Sequence, residues 1–121
     1  MADDPLVSLA ARVAQRCLAL GYRIATVESC TGGLVGHLIT EIPGSSAYYV
    51  GGFVTYSDDA KVAMVGVPTD VLRAHGAVSA QTAMAMASGG RERTGAEISI
   101  SVTGIAGPDG GSPSKPVGLT Y

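Results

Sequence analysis

The chain has 121 residues, which is enough for one compact domain with its own core and too short for two ordinary domains. Hydrophobic residues make up 46% of it and charged residues 15%, a balance that excludes an intrinsically disordered chain. The formal net charge of -2 gives no general attraction to nucleic acid, and the eight basic residues are scattered along the chain. We therefore expect a single globular domain that binds no nucleic acid.

The sequence gives no sign of export or of membrane insertion. The amino terminus carries Asp3 and Asp4 in place of a basic region, and no apolar run approaches the ~20 residues that a membrane-spanning helix needs. The two cysteines, Cys17 and Cys30, lack metal-ligand spacing and suit free thiols in a reducing compartment. We expect a cytoplasmic protein with no bound metal and no membrane contact.

The first part of the chain predicts a helix, a strand, a polar turn and a second helix. Asp3-Asp4-Pro5 offers an N-cap and a proline for the first helical turn, and apolar residues recur at helical spacing until Gly21. A β-branched run over 23–27 leads into the polar turn 28–33, and a helix-like stretch covers 34 to about 40. This order puts small side chains at the carboxyl edge of a sheet, where α/β proteins place ligands.

The middle of the chain predicts a strand followed by three helices. The strand covers 48–56, where Gly51-Gly52 indicates a bulge or a close backbone contact. One short helix carries Lys61 and can be capped by Ser57 or Asp58, and another covers 69–74. A longer helix then runs from its cap at Ser79 to about residue 93.

The last part of the chain predicts a third strand over 97–102 and a loop rich in glycine and proline over 103–116. Residues 117–121 predict the start of a fourth strand. Helices that alternate with strands imply a three-layer α/β/α sandwich with a mostly parallel or mixed sheet. Because the fourth strand would stop without a turn or a helix, we expect that a longer natural protein continues beyond it.

Two adjacent side chains in the polar turn are candidate nucleophiles. Ser29 needs a base, because its hydroxyl is protonated at neutral pH, whereas Cys30 competes because thiolates attack more readily than alcohols. Neighbouring side chains on an extended segment point in opposite directions, so we expect only one of them to face the site. A structural role, in which Ser29 or Thr31 caps the next helix, fits the position equally well.

Lys61 is the leading candidate for the base. A lysine that is removed from water has a lowered pKa and can accept a proton, although a solvated surface lysine is the commoner outcome. His37 lies inside a predicted helix and His75 in a turn, neither with a carboxylate at a local spacing, and Lys115 is expected to be exposed. Tyr56 could donate to an oxyanion, relay a proton or cap the core.

Six motifs, taken in order, resemble the CinA C-terminal domain family and cover nearly the whole chain. They are Glu28-Ser29-Cys30-Thr31-Gly32-Gly33, Pro43-Gly44-Ser45-Ser46, Gly52-Phe53-Val54-Thr55-Tyr56-Ser57, Ala60-Lys61, His75-Gly76-Ala77-Val78-Ser79 and Thr103-Gly104-Ile105-Ala106-Gly107-Pro108-Asp109-Gly110-Gly111. Members of this family that stand alone as one domain are nicotinamide mononucleotide deamidases, and longer relatives are named competence/damage-inducible proteins. A chain that starts at its first helix resembles the stand-alone form, with one amidase domain over 1–121.

The resemblance implies hydrolysis of nicotinamide mononucleotide to nicotinate mononucleotide and ammonia, with no metal or cofactor. Ser29 matches the family's nucleophile, Lys61 its base and Tyr56 its partner in proton transfer, while Ser46 and Thr103 match further active-site positions. We expect backbone N–H groups of the turn 29–33 to stabilise the oxyanion. The remaining expected substrate contacts come from the two glycine-rich segments: Cys30, Thr31, Gly32, Gly33, Gly104, Ala106 and Gly107.

The resemblance also implies features outside the site, namely a further segment of chain and self-association. Relatives continue through a final strand and helix that carry an arginine associated with the substrate, so this segment is expected to be missing from the chain. Members of the family generally self-associate, which implies a homo-oligomer. Two other functions stay open: a non-catalytic pyridine-nucleotide-binding domain with a regulatory role in competence or DNA damage, and a hydrolase that uses Cys30.

Overall fold

A computed structural model describes residues 4–121 as a parallel sheet flanked by helices. The three strands are β1 (Ile24–Glu28), β2 (Tyr49–Val54) and β3 (Ile98–Val102), in the spatial order β2-β1-β3. The helices are α1 (Pro5–Leu20), α2 (Leu34–Thr40), α3 (Asp58–Val65), α4 (Thr69–His75) and α5 (Ala80–Thr94), with a 3-10 turn over Ser45–Ala47. None of these helices is long and apolar enough to cross a membrane.

Helices cover both faces of the sheet, which confirms the predicted three-layer α/β/α sandwich. Ile24 of β1 packs into one cluster of buried side chains with α1 and α2. Val27, which points to the opposite face, packs into a second cluster with α3, α4 and α5. The central strand β1 is buried along its whole length because both of its faces are covered.

Three helices begin where their capping residues predict. Asp4, Ser57 and Ser79 cap α1, α3 and α5, and each side-chain oxygen accepts a backbone N–H group at 2.9 to 3.1 Å. Asp3, the other predicted cap of the first helix, lies outside the described residues. These ends are set by local sequence, so α3 brings Lys61 to a defined place after β2.

The paired glycines of β2 form both the bulge and the close contact that their sequence indicates. The register between β1 and β2 shifts between Ile24 and Ala25, which pair with Tyr49 and Gly51. A side chain at Gly52 would collide with the hydroxyl of Thr26 on β1. The two strands therefore lie close together up to their carboxyl ends, where the candidate site begins.

The predicted fourth strand over 117–121 is wrong. Gly104 and Thr120 form an isolated antiparallel bridge, and Thr103 and Tyr121 exchange backbone hydrogen bonds of 2.9 and 2.8 Å around it. Gly118 turns the chain with a φ of 94°, so the extended stretch is too short to form a strand of its own. The segment instead closes the loop 103–116, and β3 keeps one open edge.

Candidate active site

Ser29 and Lys61 meet at the carboxyl ends of β1 and β2. Nζ of Lys61 lies 2.9 Å from Oγ of Ser29. Lys61 is fully buried and Ser29 is 7% exposed. The contact exists because β1 and β2 are parallel neighbours, so the turn that follows β1 and the helix that follows β2 meet at one edge of the sheet.

The amine of Lys61 is surrounded by three oxygen atoms. Besides Ser29 Oγ, Nζ lies 2.7 Å from the carbonyl oxygen of Thr55 and 3.3 Å from that of Tyr56. Burial lowers the pKa of Lys61, and the Coulombic influence of Asp58 and Cys30 offsets only part of this effect. A neutral amine has two N–H bonds and one lone pair. The two carbonyls can take the N–H groups, which leaves the lone pair for the Ser29 hydroxyl.

Three of the five backbone N–H groups in the turn 29–33 are already bound within the protein. Ser29 N donates to the carbonyl of Val102 at 2.9 Å, and Gly32 N donates to the carbonyl of Ser29 at 3.1 Å. Gly33 N donates to a carboxylate oxygen of Glu28 at 3.2 Å. These three N–H groups are not available to an oxyanion, because a bound N–H group cannot also serve the substrate.

The N–H groups of Cys30 and Thr31 remain available in this turn. Neither has an acceptor among residues 4–121. Cys30 directly follows Ser29, and the residue after the nucleophile supplies an oxyanion donor in many hydrolases. An oxyanion site at this turn is thus limited to two adjacent donors.

Glu28 caps α2 from the end of β1. The buried carboxylate accepts the hydroxyl of Thr31 at 2.6 Å and the backbone N–H groups of Gly33, Val35 and Gly36 at 3.2, 2.9 and 2.9 Å. Burial by itself would raise the pKa of Glu28, but the hydrogen bonds outweigh it and lower the pKa. The sequence-based alternative, in which Ser29 or Thr31 caps this helix, is wrong because Thr31 donates to Glu28 instead.

A cavity of about 240 Å³ opens beside Ser29 and Lys61. Its lining residues come from four segments of the chain: Ser29, Cys30, Tyr56, Lys61, Ala77, Val78, Thr103, Gly104 and Ala106. Both candidate nucleophiles line it, so the expectation that only one of them faces the site is wrong. The reason is that residues 29–33 form a tight turn, where the alternation of an extended segment does not apply.

Ala77 and Val78 line the cavity although sequence analysis assigned them no contact. They lie in the His75–Ser79 motif, which the sequence marks only through the family resemblance. A short turn between two helices carries no catalytic group, so residue chemistry could not identify it. Its position in an ordered motif set was the available signal.

Five residues that were expected to contact substrate do not line the cavity: Thr31, Gly32, Gly33, Ser46 and Gly107. Ser46 is the clearest case, since it is exposed in the 3-10 turn before β2. Because β1 and β2 are parallel, a residue before β2 lies at the amino edge of the sheet and Ser29 lies at the carboxyl edge. Ser46 therefore does not reach the cavity within one chain.

Tyr56 contributes its backbone to the base and its side chain to the cavity wall. Its carbonyl oxygen lies 3.3 Å from Lys61 Nζ and 3.5 Å from Ser29 Oγ. The residue is 73% exposed, and its hydroxyl has no hydrogen-bond partner among the described residues. The residue thus faces solvent with its side chain, and its carbonyl oxygen lies against Ser29 and Lys61.

Thr103 and Lys115 tie the loop 103–116 to the turn between α4 and α5. The hydroxyl of Thr103, which is fully buried, donates to the carbonyl of Ala77 at 2.9 Å. Nζ of Lys115 donates to the carbonyl of His75 at 2.7 Å, and the residue is half-buried where exposure was expected. Two walls of the cavity are therefore joined to each other. His37 lies elsewhere, and its Nε2 is 2.9 Å from a carboxylate oxygen of Glu41, four residues further on, so the expectation that it has no carboxylate at a local spacing is wrong.

Metal ligation has no geometric basis in the described part of the chain. Within residues 4–121, no three side chains of the histidine, cysteine, aspartate or glutamate types lie together in a way that could hold a metal ion. The groups that can do chemistry at the cavity are the serine hydroxyl, the lysine amine, the Cys30 thiol and the free backbone N–H groups.

Comparisons with known proteins agree on one family. The profile of the CinA C-terminal domain matches residues 6–121. A putative competence-damage inducible protein from Moorella thermoacetica is 55% identical over 120 residues, which is 98% of this chain and 28% of the relative. One from Symbiobacterium thermophilum is 58% identical over 98 residues, which is 81% of this chain and 23% of the relative.

Solved structures show the same fold. The competence/damage inducible protein CihA from Agrobacterium tumefaciens has 52% sequence identity and a TM-score of 0.92, with 95% of this chain and 70% of that chain covered. A CinA superfamily protein from Klebsiella pneumoniae has 37% identity and a TM-score of 0.93, with 97% and 73% covered. The chain thus spans about a quarter of the length of the curated relatives and about 70% of these solved chains.

Proposed function

Because the chain belongs to the CinA C-terminal domain family, we propose that it hydrolyses the carboxamide of nicotinamide mononucleotide with Ser29 as nucleophile and Lys61 as base. The observation that carries the proposal is the buried contact of 2.9 Å between Ser29 Oγ and Lys61 Nζ. A serine hydroxyl beside an amine of lowered pKa is an activated nucleophile. The products are nicotinate mononucleotide and ammonia.

The first half of the reaction forms an acyl-enzyme. Lys61 takes the proton of Ser29 as Oγ bonds to the amide carbon, and the carbonyl oxygen becomes an oxyanion. The free N–H group of Cys30, which lines the cavity, stabilises that charge, and the free N–H group of Thr31 is the adjacent donor of the same turn. Lys61 then passes the proton to the amide nitrogen, the carbon–nitrogen bond breaks, and ammonia leaves.

The second half reverses the roles of the groups. A water molecule attacks the ester carbon while Lys61 accepts one of its protons, and the same two N–H groups hold the second oxyanion. The bond from the carbon to Ser29 Oγ breaks, and Lys61 returns the proton to Oγ. Each proton that leaves Ser29 or water is thus accounted for, and the enzyme ends in its starting state.

The size of the cavity supports a small planar reacting group. At about 240 Å³ it is smaller than the ~300 to 1,000 Å³ that encloses a drug-sized ligand. A pyridine ring with its carboxamide suits this space, and the ribose and phosphate would extend through the mouth past Tyr56. The apolar side of Val78 offers a surface for the ring.

Tyr56 is assigned the proton-transfer role only through the family resemblance, and its exposed ring makes Lys61 the nearer carrier. Tyr56→Phe tests that role, because it removes the hydroxyl and keeps both the ring and the carbonyl. A fall in kcat of about 10² or more would support proton transfer by the hydroxyl. A change below about threefold would leave the ring as a wall of the cavity.

The test of the proposed function is ammonia release from nicotinamide mononucleotide, with mass detection of nicotinate mononucleotide. We expect turnover by the native chain, and a loss of about 10³ or more in kcat for Ser29→Ala and for Lys61→Met. The double variant should be no slower than the slower single variant, because the two groups act as a unit. Ser88→Ala, an exposed serine on α5, is the matched control and should keep native kcat.

Two results would count against the proposal. Binding of the nucleotide without ammonia release would favour the non-catalytic binding domain. A double variant that is much slower than either single variant would show that Ser29 and Lys61 do not form one catalytic unit.

A further inference from the structure

We infer that Glu28 is a positioning residue whose buried carboxylate holds the turn 29–33 in the arrangement that leaves the N–H groups of Cys30 and Thr31 free for the oxyanion. The inference rests on the proposed serine chemistry. It assigns a role to a charged residue that the mechanism itself does not use. Glu28 touches neither the cavity nor Lys61, so it would act only through the turn.

The first step is that the carboxylate is fully occupied. Oε1 accepts from the Thr31 hydroxyl and from Gly33 and Val35, and Oε2 accepts from Gly36. With 2% exposure, Glu28 has almost no access to water. The residue at the N-cap of α2 is a glycine without a side-chain cap, so Glu28 performs that function from the preceding strand.

The second step is that the turn is held at both ends by neighbouring parts of the chain. At its start, Ser29 N donates to Val102 of β3 at 2.9 Å. At its end, the side chain of Glu28 holds Thr31 and Gly33. The five-residue turn therefore closes back on the residue that precedes it. With both ends bound, the orientation of the intervening peptide groups is determined.

The third step is that only a carboxylate suits this position. All four partners of Glu28 are donors, and glutamine would replace one acceptor oxygen with an NH₂ group that faces them. The helix also approaches closely, since a side chain at Gly36 would lie 2.6 Å from the Tyr49 hydroxyl and 3.4 Å from Oε2 of Glu28. Glu28→Gln keeps the size of the side chain and removes an essential acceptor.

The main experiment compares Glu28→Gln with the native chain in nicotinamide mononucleotide deamidation. We expect kcat to fall about 10²-fold, the loss typical of a misplaced oxyanion donor, with KM changed less than about threefold. The acid limb of the pH profile should stay in place, because Lys61 and its carbonyl partners are untouched. A purely structural role would lower the free energy of unfolding and leave kcat of the folded protein unchanged.

A second variant keeps the inference testable if Glu28→Gln does not fold. Thr31→Val removes one of the four donors and should lower kcat about tenfold through the same turn. Thr40→Val is its matched control, since the hydroxyl of this exposed residue of α2 donates to the His37 carbonyl at 2.9 Å and makes no hydrogen bond to the turn. We expect Thr40→Val to keep native kcat.

An ester probe separates this inference from the choice of substrate. Acylation of Ser29 by a p-nitrophenyl ester needs the same oxyanion donors and does not need nicotinamide mononucleotide. If the native chain releases no ammonia but is acylated, and Glu28→Gln is acylated about 10² times more slowly, the inference stands and the proposed substrate fails. Folded Glu28→Gln with native kcat, or a native chain that is not acylated, would overturn it.

Discussion

The proposed role of Lys61 as a base depends on the surroundings of its side chain. Its side chain is fully buried, and its amine has three oxygen neighbours and no carboxylate in contact. A charged ammonium in that place would be poorly solvated, which is why its pKa is lowered. The same burial that makes Lys61 a costly residue for the fold suits it to the proposed role of a base.

The lowered pKa of Lys61 predicts the direction of the pH dependence. Protonated Lys61 cannot take the proton of Ser29, so kcat/KM should fall about tenfold per unit as the pH decreases through the pKa. The midpoint of this limb should lie below the ordinary lysine value of 10.5. The measurement is kcat/KM against pH, with unfolding checked at each pH. A midpoint at or above 10.5 would contradict a buried neutral base.

Cys30 lines the cavity beside Ser29, so the two nucleophiles must be separated by experiment. We expect Cys30→Ser to keep kcat within about threefold, because the proposed role of this residue is its backbone N–H group. Iodoacetamide should inactivate the native chain by filling the cavity and should not inactivate Cys30→Ser. A loss of about 10³ in Cys30→Ser would instead favour the cysteine-dependent hydrolase.

At the scale of elements, the site depends on connections between loops. The loop 103–116 and the turn between α4 and α5 form two walls of the cavity, and the Thr103 hydroxyl joins them. Neither segment belongs to the sheet, so their relative position depends on such side-chain contacts. The parallel pairing of β1 and β2 determines where Ser29 and Lys61 lie. Side-chain hydrogen bonds between the loops determine the shape of the cavity around them.

Thr103→Val tests this connection with an isosteric change. The carbonyl of Ala77 loses its buried donor, which should lower the free energy of unfolding by about 1 to 3 kcal/mol and raise KM. Thr120→Val is the matched control, because its exposed hydroxyl makes a single hydrogen bond, to the carbonyl of Gly118 two residues earlier. The control should change stability by less than about 0.5 kcal/mol. Urea unfolding measures the stability of both variants. Equal losses of unfolding free energy in Thr103→Val and Thr120→Val would contradict the role given to Thr103.

At the scale of the whole molecule, β3 leaves an open edge beside an apolar groove. The groove, of about 550 Å³, lies between α1 and β3. Ile98 and Ile100 of β3 are 39% and 38% exposed there, together with Leu9 and Leu20 of α1. An unpaired strand edge next to apolar side chains favours pairing with another chain.

We expect the 121-residue chain to self-associate through β3. Light scattering should give a mass above 12.1 kDa that rises with concentration. Ile100→Lys should shift the chain towards the monomer, because it places a charge on the groove. Leu18→Lys, at an exposed leucine outside the groove, should not. A native monomer at all concentrations would contradict this prediction.

The sequence by itself determined most of the helices and strands, and it identified Ser29 and Lys61 as the residues of the proposed catalytic pair. The signals for these elements are local, so they can be read without knowledge of the fold. They include caps such as Ser57 and Ser79, the β-branched run before Ser29 and the alternation of helices with strands. The ordered motifs then identified the family. Ser29 and Lys61 were candidates before any distance was known.

Only the tertiary structure decided what these residues contact. The distance of 2.9 Å between Ser29 and Lys61 depends on the parallel pairing of strands that are distant in sequence. The same pairing puts Ser46 at the opposite edge of the sheet, and a turn at Gly118 ends the expected fourth strand. Hydrogen bonds to Glu28 and Val102 determine which N–H groups stay free. These outcomes depend on contacts between distant segments, and no local pattern encodes them.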